Sequence, residues 1–330
     1  MRGFGILWLA TLLGCGGGGG ADDPDASGGI DAGGERDAAA PDAEPGTDAG
    51  RPSHDDGGSD GGRVVDRGPT ILPLDGDPNG LFWSADEGTL YVADDDNNRV
   101  VRWRDDGFVT PVALPAFDDE RGPGLGQVIR HGDGRVFVAR FGYGTLGAVI
   151  EVATDGTTRE WPDLDPTRRR IGLAVDGDGA VYSAWFVGPA GSRVGGVSRL
   201  ESRGETDLAI EGLVKPVGIL VREDVLFVAD QDQGRVLRVP LDDVASTTTY
   251  ATPPSADLLA ATASGLLFTG GRTGEVFRIA TDGSFTVFQS DLQEVRGLAY
   301  DEAAGRLFVA SHDGDATDGE THRLHVFPVD

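Results

Sequence analysis

The chain has 330 residues, with 28 Lys and Arg against 55 Asp and Glu, a formal charge of −27. So acidic a balance argues against a nucleic-acid partner, because phosphate binding needs a basic surface that releases counterions. A single Cys excludes an intrachain disulfide and a multi-thiolate zinc site.

In chain order, residues 4–14 (FGILWLATLLG) are an apolar run behind one positive charge, Arg2. The run is about half the ~20 residues that a helix needs to span a bilayer, so it reads as a secretory signal. It ends in Leu12-Leu13-Gly14-Cys15, which resembles the lipobox of bacterial lipoproteins. The resemblance implies that residues 1–15 are a signal peptide, cut before Cys15, whose thiol is then acylated. An ordinary signal peptide with an incidental Cys is the other reading. The sole Cys at the required position favours the lipobox. Several acyl chains anchor durably where one is marginal. Gly16, rather than Asp, follows Cys15, and by the same resemblance this implies the outer membrane. The lipid anchor is the only membrane contact expected.

Residues 16–62 carry twelve acidic residues, two arginines, no aromatic residue and only Ile30 as a large apolar one. Such a segment cannot bury enough apolar surface to offset the entropy of ordering, and it is expected to be a disordered tether. Gly57-Gly58-Ser59-Asp60-Gly61 matches the G-x-S-x-G nucleophile pattern. It lacks the strand before and helix after that the elbow requires, so it carries no catalytic weight.

Residues 63–330 repeat six times. Second strands read TLYVAD (89–94), RVFVAR (135–140), AVYSAW (180–185), VLFVAD (225–230), LLFTGG (266–271) and RLFVAS (306–311). Their last residues are 46, 45, 45, 41 and 40 apart. A period near 40 with several strands per repeat predicts a propeller, and no helical patterning supports a solenoid. Third strands follow as RVVRWR (99–104), AVIEVA (148–153), GVSRLE (196–201), RVLRVP (235–240), EVFRIA (275–280) and RLHVFP (323–328), alternating apolar with polar residues. Outer strands fit at TTREW (157–161) and SFTVFQ (284–289), but the sixth repeat ends with the chain. The unrepeated RGPTILPLD (67–75) is expected to supply that missing strand, closing the ring without an open edge. The reading is therefore all-β: one six-bladed β-propeller closed by an N-terminal strand.

LYVADDDNNRVVRW (90–103) and LFVADQDQGRVLRV (226–239) resemble NHL repeats, and 63–330 resembles the wider six-bladed superfamily that holds the SMP-30/gluconolactonase proteins. The resemblance specifies architecture better than activity. It implies an axial funnel as the ligand site, where gluconolactonase-type enzymes hold a divalent cation, typically Ca²⁺, with one Glu, two Asn and one Asp. The corresponding positions here are Asn79, Gly126, Ile171, Val217, Asp257 and Arg296. Only Asp257 matches a ligand type in place, with Asn79 where Glu would stand and Ile171 and Val217 replacing the two Asn. Asp257 and Asn79 are thus the metal candidates. Ca²⁺ is the one cofactor left open, and none is expected to be required.

Blades 5, 6 and 1 are neighbours in a closed ring, so Asp257, Arg296 and Asn79 should form one polar arc. Two readings stay open: a pocket that grips a carboxylate or hydroxylated ligand through Arg296, or an Asp257–Arg296 salt bridge lining a water-filled channel. Asp94-Asp95-Asp96-Asn97-Asn98 has Arg99 where an EF-hand loop needs Gly. Asp176-Gly177-Asp178-Gly179 reads as a hairpin turn, and 312–321 (HDGDATDGET) as a long loop that could bind Ca²⁺ weakly. The five His are scattered without an H-E-x-x-H or i, i+4 pair, so no zinc site is expected. Gly122-Pro123-Gly124-Leu125-Gly126-Gln127 lacks the last Gly and the βαβ context of a dinucleotide fingerprint. Trp83, Trp103, Trp161 and Trp185 read as blade packing. The function favoured at this level is a lipid-anchored, non-catalytic binding module working through the funnel or rim. A metal-dependent lactone hydrolase is the alternative from a different class, and a structural envelope scaffold the third.

Overall fold

The computed structural model describes residues 69–117, 122–312 and 322–329. The stretches read from sequence as signal and lipobox with Cys15 and as a tether over 16–62, with the acidic stretch 313–321, lie outside those residues. In each repeat the second strand is the most apolar run, and it becomes an inner member of a four-stranded antiparallel blade. Thr89–Asp94 and Val136–Arg140 are buried at every position. The outer strand Phe285–Gln289 is mostly exposed. Burial therefore grades outward from the axis, as the loss of apolar alternation predicts.

Six such sheets form, five of them from four consecutive strands. The sixth joins Glu294–Asp301, Arg306–His312 and Arg323–Pro328 to Thr70–Leu72 from the other end of the domain. Thr70 pairs with Val326, Ile71 with His325 and Leu72 with Leu324. The closure expected over 67–75 is present, condensed to three residues. Strand ends agree with the sequence reading to within a residue or two; the strand of blade 3 runs on to Val187, past Trp185.

Apolar clusters fill each gap between adjacent blades, which is how a ring without a central core holds together. Blades 1 and 6 share Leu72, Leu81, Leu90, Trp103, Phe308 and Leu324. Trp83 stacks on Phe308 at 5.5 Å, Trp103 meets it edge-on at 5.7 Å, and Arg306 caps both indoles at 5.3 Å. Trp161 packs against Phe137, and Trp185 donates to Ser198 under the Arg168 guanidinium. All four tryptophans thus do packing work. Asp176 caps its turn as expected, accepting from the main chain of Asp178 and Ala180 and from Tyr182, with Gly179 at φ +86°.

One feature of the innermost strands positions the site. Their pairing with the second strand slips between Pro78 and Leu81, Leu125 and Val128, Arg170 and Leu173, Pro216 and Gly218, and Val295 and Leu298. These are β-bulges, which leave residues unpaired and re-aim their side chains. The unpaired residues include Asn79, Gly126, Ile171, Val217 and Arg296, while Asp257 lies two residues before the ladder strand Leu259–Ala261 of blade 5. The strands converge so closely there that a Cβ on Gly297 would stand 2.0 Å from Asn79 O, and one on Gly218 2.3 Å from Asp257 O.

Candidate functional site

The bulge ring divides the axial channel. Beyond it, one apolar residue from each inner strand (Leu81, Ile129, Leu173, Leu220, Leu259 and Leu298) lines a cavity of about 170 Å³. That cavity has no convergent charge, so the chemistry belongs to the other side, where the inner strands begin.

At that mouth Asp257 is buried at 3% exposure and accepts a 2.8 Å hydrogen bond on Oδ2 from Gln231 Nε2. Burial pushes its carboxyl up, and the nearby Arg296 charge only partly opposes this. Arg296 is 26% exposed and pairs with Glu294 at 3.0 Å. Its Nε is buried without a hydrogen-bond partner. Burial works against the guanidinium charge, and the carboxylates of Glu294, Asp257, Asp77 and Asp95 override it. The Asp257–Arg296 salt bridge of the sequence reading therefore does not form: Glu294 takes the arginine and Gln231 takes the aspartate. Asn79 is half-buried in the same ring, so Asn79, Asp257 and Arg296 do stand on neighbouring blades.

The ring suits a hard cation poorly. Ca²⁺ takes six or more oxygens, usually from several carboxylates. Here Asp257 is the one carboxylate, half engaged by Gln231, with apolar Ile171 and Val217 opposite and a fixed cation at Arg296. Asp257 and Asn79 do not make a Ca²⁺ cage there.

A second layer sits just outside the ring, which sequence reasoning missed. Asp77 precedes the first inner strand and is buried at 4% exposure. His312 Nδ1 lies 3.1 Å from each of its carboxylate oxygens, and His322 Nδ1 lies 3.4 Å from Oδ1. The two imidazoles stack at 4.4 Å with planes 21° apart. Burial resists ionisation of Asp77, but the hydrogen bond and charge of His312, with His322 and Arg296, hold its carboxyl below the usual range. The histidines read as scattered are thus brought together. Ring closure places blade 6 beside the residue that opens blade 1, and their contact spans 235 positions of sequence.

Asp95 follows the second strand of blade 1, and His312 ends that of blade 6. The N–H of Asp95 donates to Asp77 O at 2.8 Å, and its Oδ1 accepts from Leu125 N at 2.6 Å. Burial, with Asp77 and Asp96 adding their charge, pushes this carboxyl up to about 7 despite the Leu125 bond. Its neighbour Asp94 is fully buried and tied to Arg99, Asn97 and Asp77 N, a structural knot rather than a calcium loop. Across the mouth, Arg193, Lys215 and Arg169 surround the Phe186 ring at 5.5, 5.6 and 5.8 Å. Acidic Asp77 and Asp95 thus lie on blade 1, and Arg193 of the opposite cluster pairs with Asp232 at 2.6 Å. The only signal available in sequence was positional: Asp95, Gln231 and His312 each stand one residue past a second strand.

No family model matches the chain, and no curated relative matches it. Solved structures do. A gluconolactonase from Xanthomonas campestris superposes with a TM-score of 0.60 at 20% identity, over 76% of this chain and 86% of its own. A calcium-binding protein, regucalcin, from Agrobacterium tumefaciens gives 0.58 at 17% identity, over 81% and 93%. Virginiamycin B lyase from Staphylococcus aureus gives 0.56 at 15% identity, over 79% and 99%. At these identities the likeness establishes the fold: an all-β propeller whose neighbours include gluconolactonase-like and regucalcin-like proteins.

Proposed function

We propose that this chain is a hydrolase of cyclic esters, opening a lactone to its hydroxy acid at the polar mouth of the funnel. The observation that carries the reading is the polar arc itself: Asn79, Asp257 and Arg296 gathered at the bulge ring, beside a half-buried Asp95 with a carboxylate oxygen unused. The gluconolactonase among the structural neighbours supports the substrate class. The binding-module reading favoured from sequence has no feature of the mouth to prefer it.

In this reading the partly exposed Arg296 guanidinium receives the lactone carbonyl oxygen and the negative charge that develops on it. Asn79 and Asp257 hold ring hydroxyls. Asp95 takes a proton from water as it attacks the carbonyl carbon, then returns it to the ring oxygen as the C–O bond breaks. No step is routed through a cation in the bulge ring.

The test is ring-opening of a panel of aldonolactones and simple lactones by the full chain, followed by pH-stat. Arg296→Gln and Asp95→Asn should each lower kcat/KM by about 10²-fold or more. Turnover that neither substitution changes, or binding of lactones without any turnover, would return the funnel to a binding role.

A further inference from the structure

We propose that Asp77, His312 and His322 form a binding site for a first-row transition-metal ion, separate from the axial position that gluconolactonase-type proteins use. One donor atom from each of the three lies within 4.8 Å of the other two. The separations from Asp77 are tighter still, at 3.1 and 3.4 Å. Two ligands at about 2.1 Å from one ion, subtending right or tetrahedral angles, stand roughly 3.0–3.4 Å apart. The carboxylate and both imidazoles are thus already at chelating distance.

A second observation points the same way. His322 is buried to 7% exposure, and among the described residues its Nδ1, facing the carboxylate, makes no hydrogen bond. A buried ring nitrogen left unsatisfied is uncommon and calls for a partner. A metal ion would satisfy it along with Asp77.

The donor set selects the metal. Ca²⁺ and Mg²⁺ take oxygen ligands, whereas imidazole suits Zn²⁺, Fe²⁺, Co²⁺ and Ni²⁺. Two His and one carboxylate leave coordination positions open, as in catalytic rather than closed structural sites. Those positions would face the mouth, next to Asp95 and Arg296. The bulge ring lacks a calcium cage while the layer above it holds a nitrogen-rich triad, so the metal preference of this propeller differs from that of a calcium-binding neighbour.

The experiment is a titration of untagged, chelator-stripped full chain with Co²⁺, read by its visible absorption bands and by equilibrium dialysis. One Co²⁺ per chain is expected, displaced by stoichiometric Zn²⁺ and retained in millimolar Ca²⁺. His322→Ala and Asp77→Asn should each weaken binding at least tenfold. Asp257→Ala and His54→Ala should leave it unchanged. His312→Gln serves as a further variant should Asp77→Asn fail to fold. No Co²⁺ binding, binding that survives His322→Ala, or displacement by Ca²⁺ as easily as by Zn²⁺ would overturn the assignment. The readout contains no substrate, so failure of lactone turnover and failure of metal binding are distinguishable.

Discussion

At the scale of single residues, the histidines show how poorly titratable side chains reveal their roles from spacing. His325 looks like its fellows in sequence, yet it sits inside the last blade at 6% exposure, bonded to Ser311 at 2.9 Å. Burial, reinforced by the Arg323 charge, pushes its pKa down. The folded state then resists a proton that the unfolded chain accepts near pH 6.5. Stability is intact above that pH and is lost as pH falls through it, by no more than about 1.4 kcal/mol per unit. His325→Gln should flatten the melting-temperature profile between pH 7 and pH 5 relative to the unaltered chain. Parallel profiles would show that the ring does not carry this dependence.

Elements carry the closure. Thr70–Leu72 covers the edge of Arg323–Pro328 and places Leu72 in the cluster shared by blades 1 and 6. Loss of that strand removes a buried leucine and bares a ladder edge, a change of a few kcal/mol. Removing residues 69–75 should lower the melting temperature by at least about 5 °C. An unchanged midpoint would mean that the ring is held by its interblade clusters alone. The same blade carries His312 and ends one strand from His322, so closure also assembles the Asp77 triad. Bulges are the other device at this scale. Each of the five interrupts its ladder at one point and leaves a residue unpaired at the ring, which Asp257 of blade 5 completes without a bulge.

For the whole molecule, the funnel is polar at one end and apolar at the other, with carboxylates and cations both present at the polar end. A ligand that carries both a carbonyl and several hydroxyls meets donors and acceptors in that arrangement. Outside the described residues, we propose that the domain is carried on a lipid attached at Cys15, with 16–62 as its tether and the outer membrane as its location. The expected result is partition of the full chain into the detergent phase and of Cys15→Ser into the aqueous phase. Aqueous partition of the unaltered chain would remove the anchor.

What the sequence by itself determined was the all-β class, the six repeats, the strand that closes them and the six ring positions from Asn79 to Arg296. The class, the repeats and the closing strand follow from period and alternation, which record how each strand meets its immediate neighbours; the ring positions came from the resemblance to gluconolactonase-type propellers. Sequence also named Asp257, Arg296 and Asn79, but not the partners that decide their chemistry. Only the tertiary structure gave Arg296 to Glu294, gave Asp257 to Gln231, and set His312 and His322 on Asp77. Glu294 is two residues from Arg296 and Gln231 lies one blade from Asp257, but the histidines reach Asp77 only across the closed ring. A local pattern cannot register a contact that exists only because the last blade docks against the first.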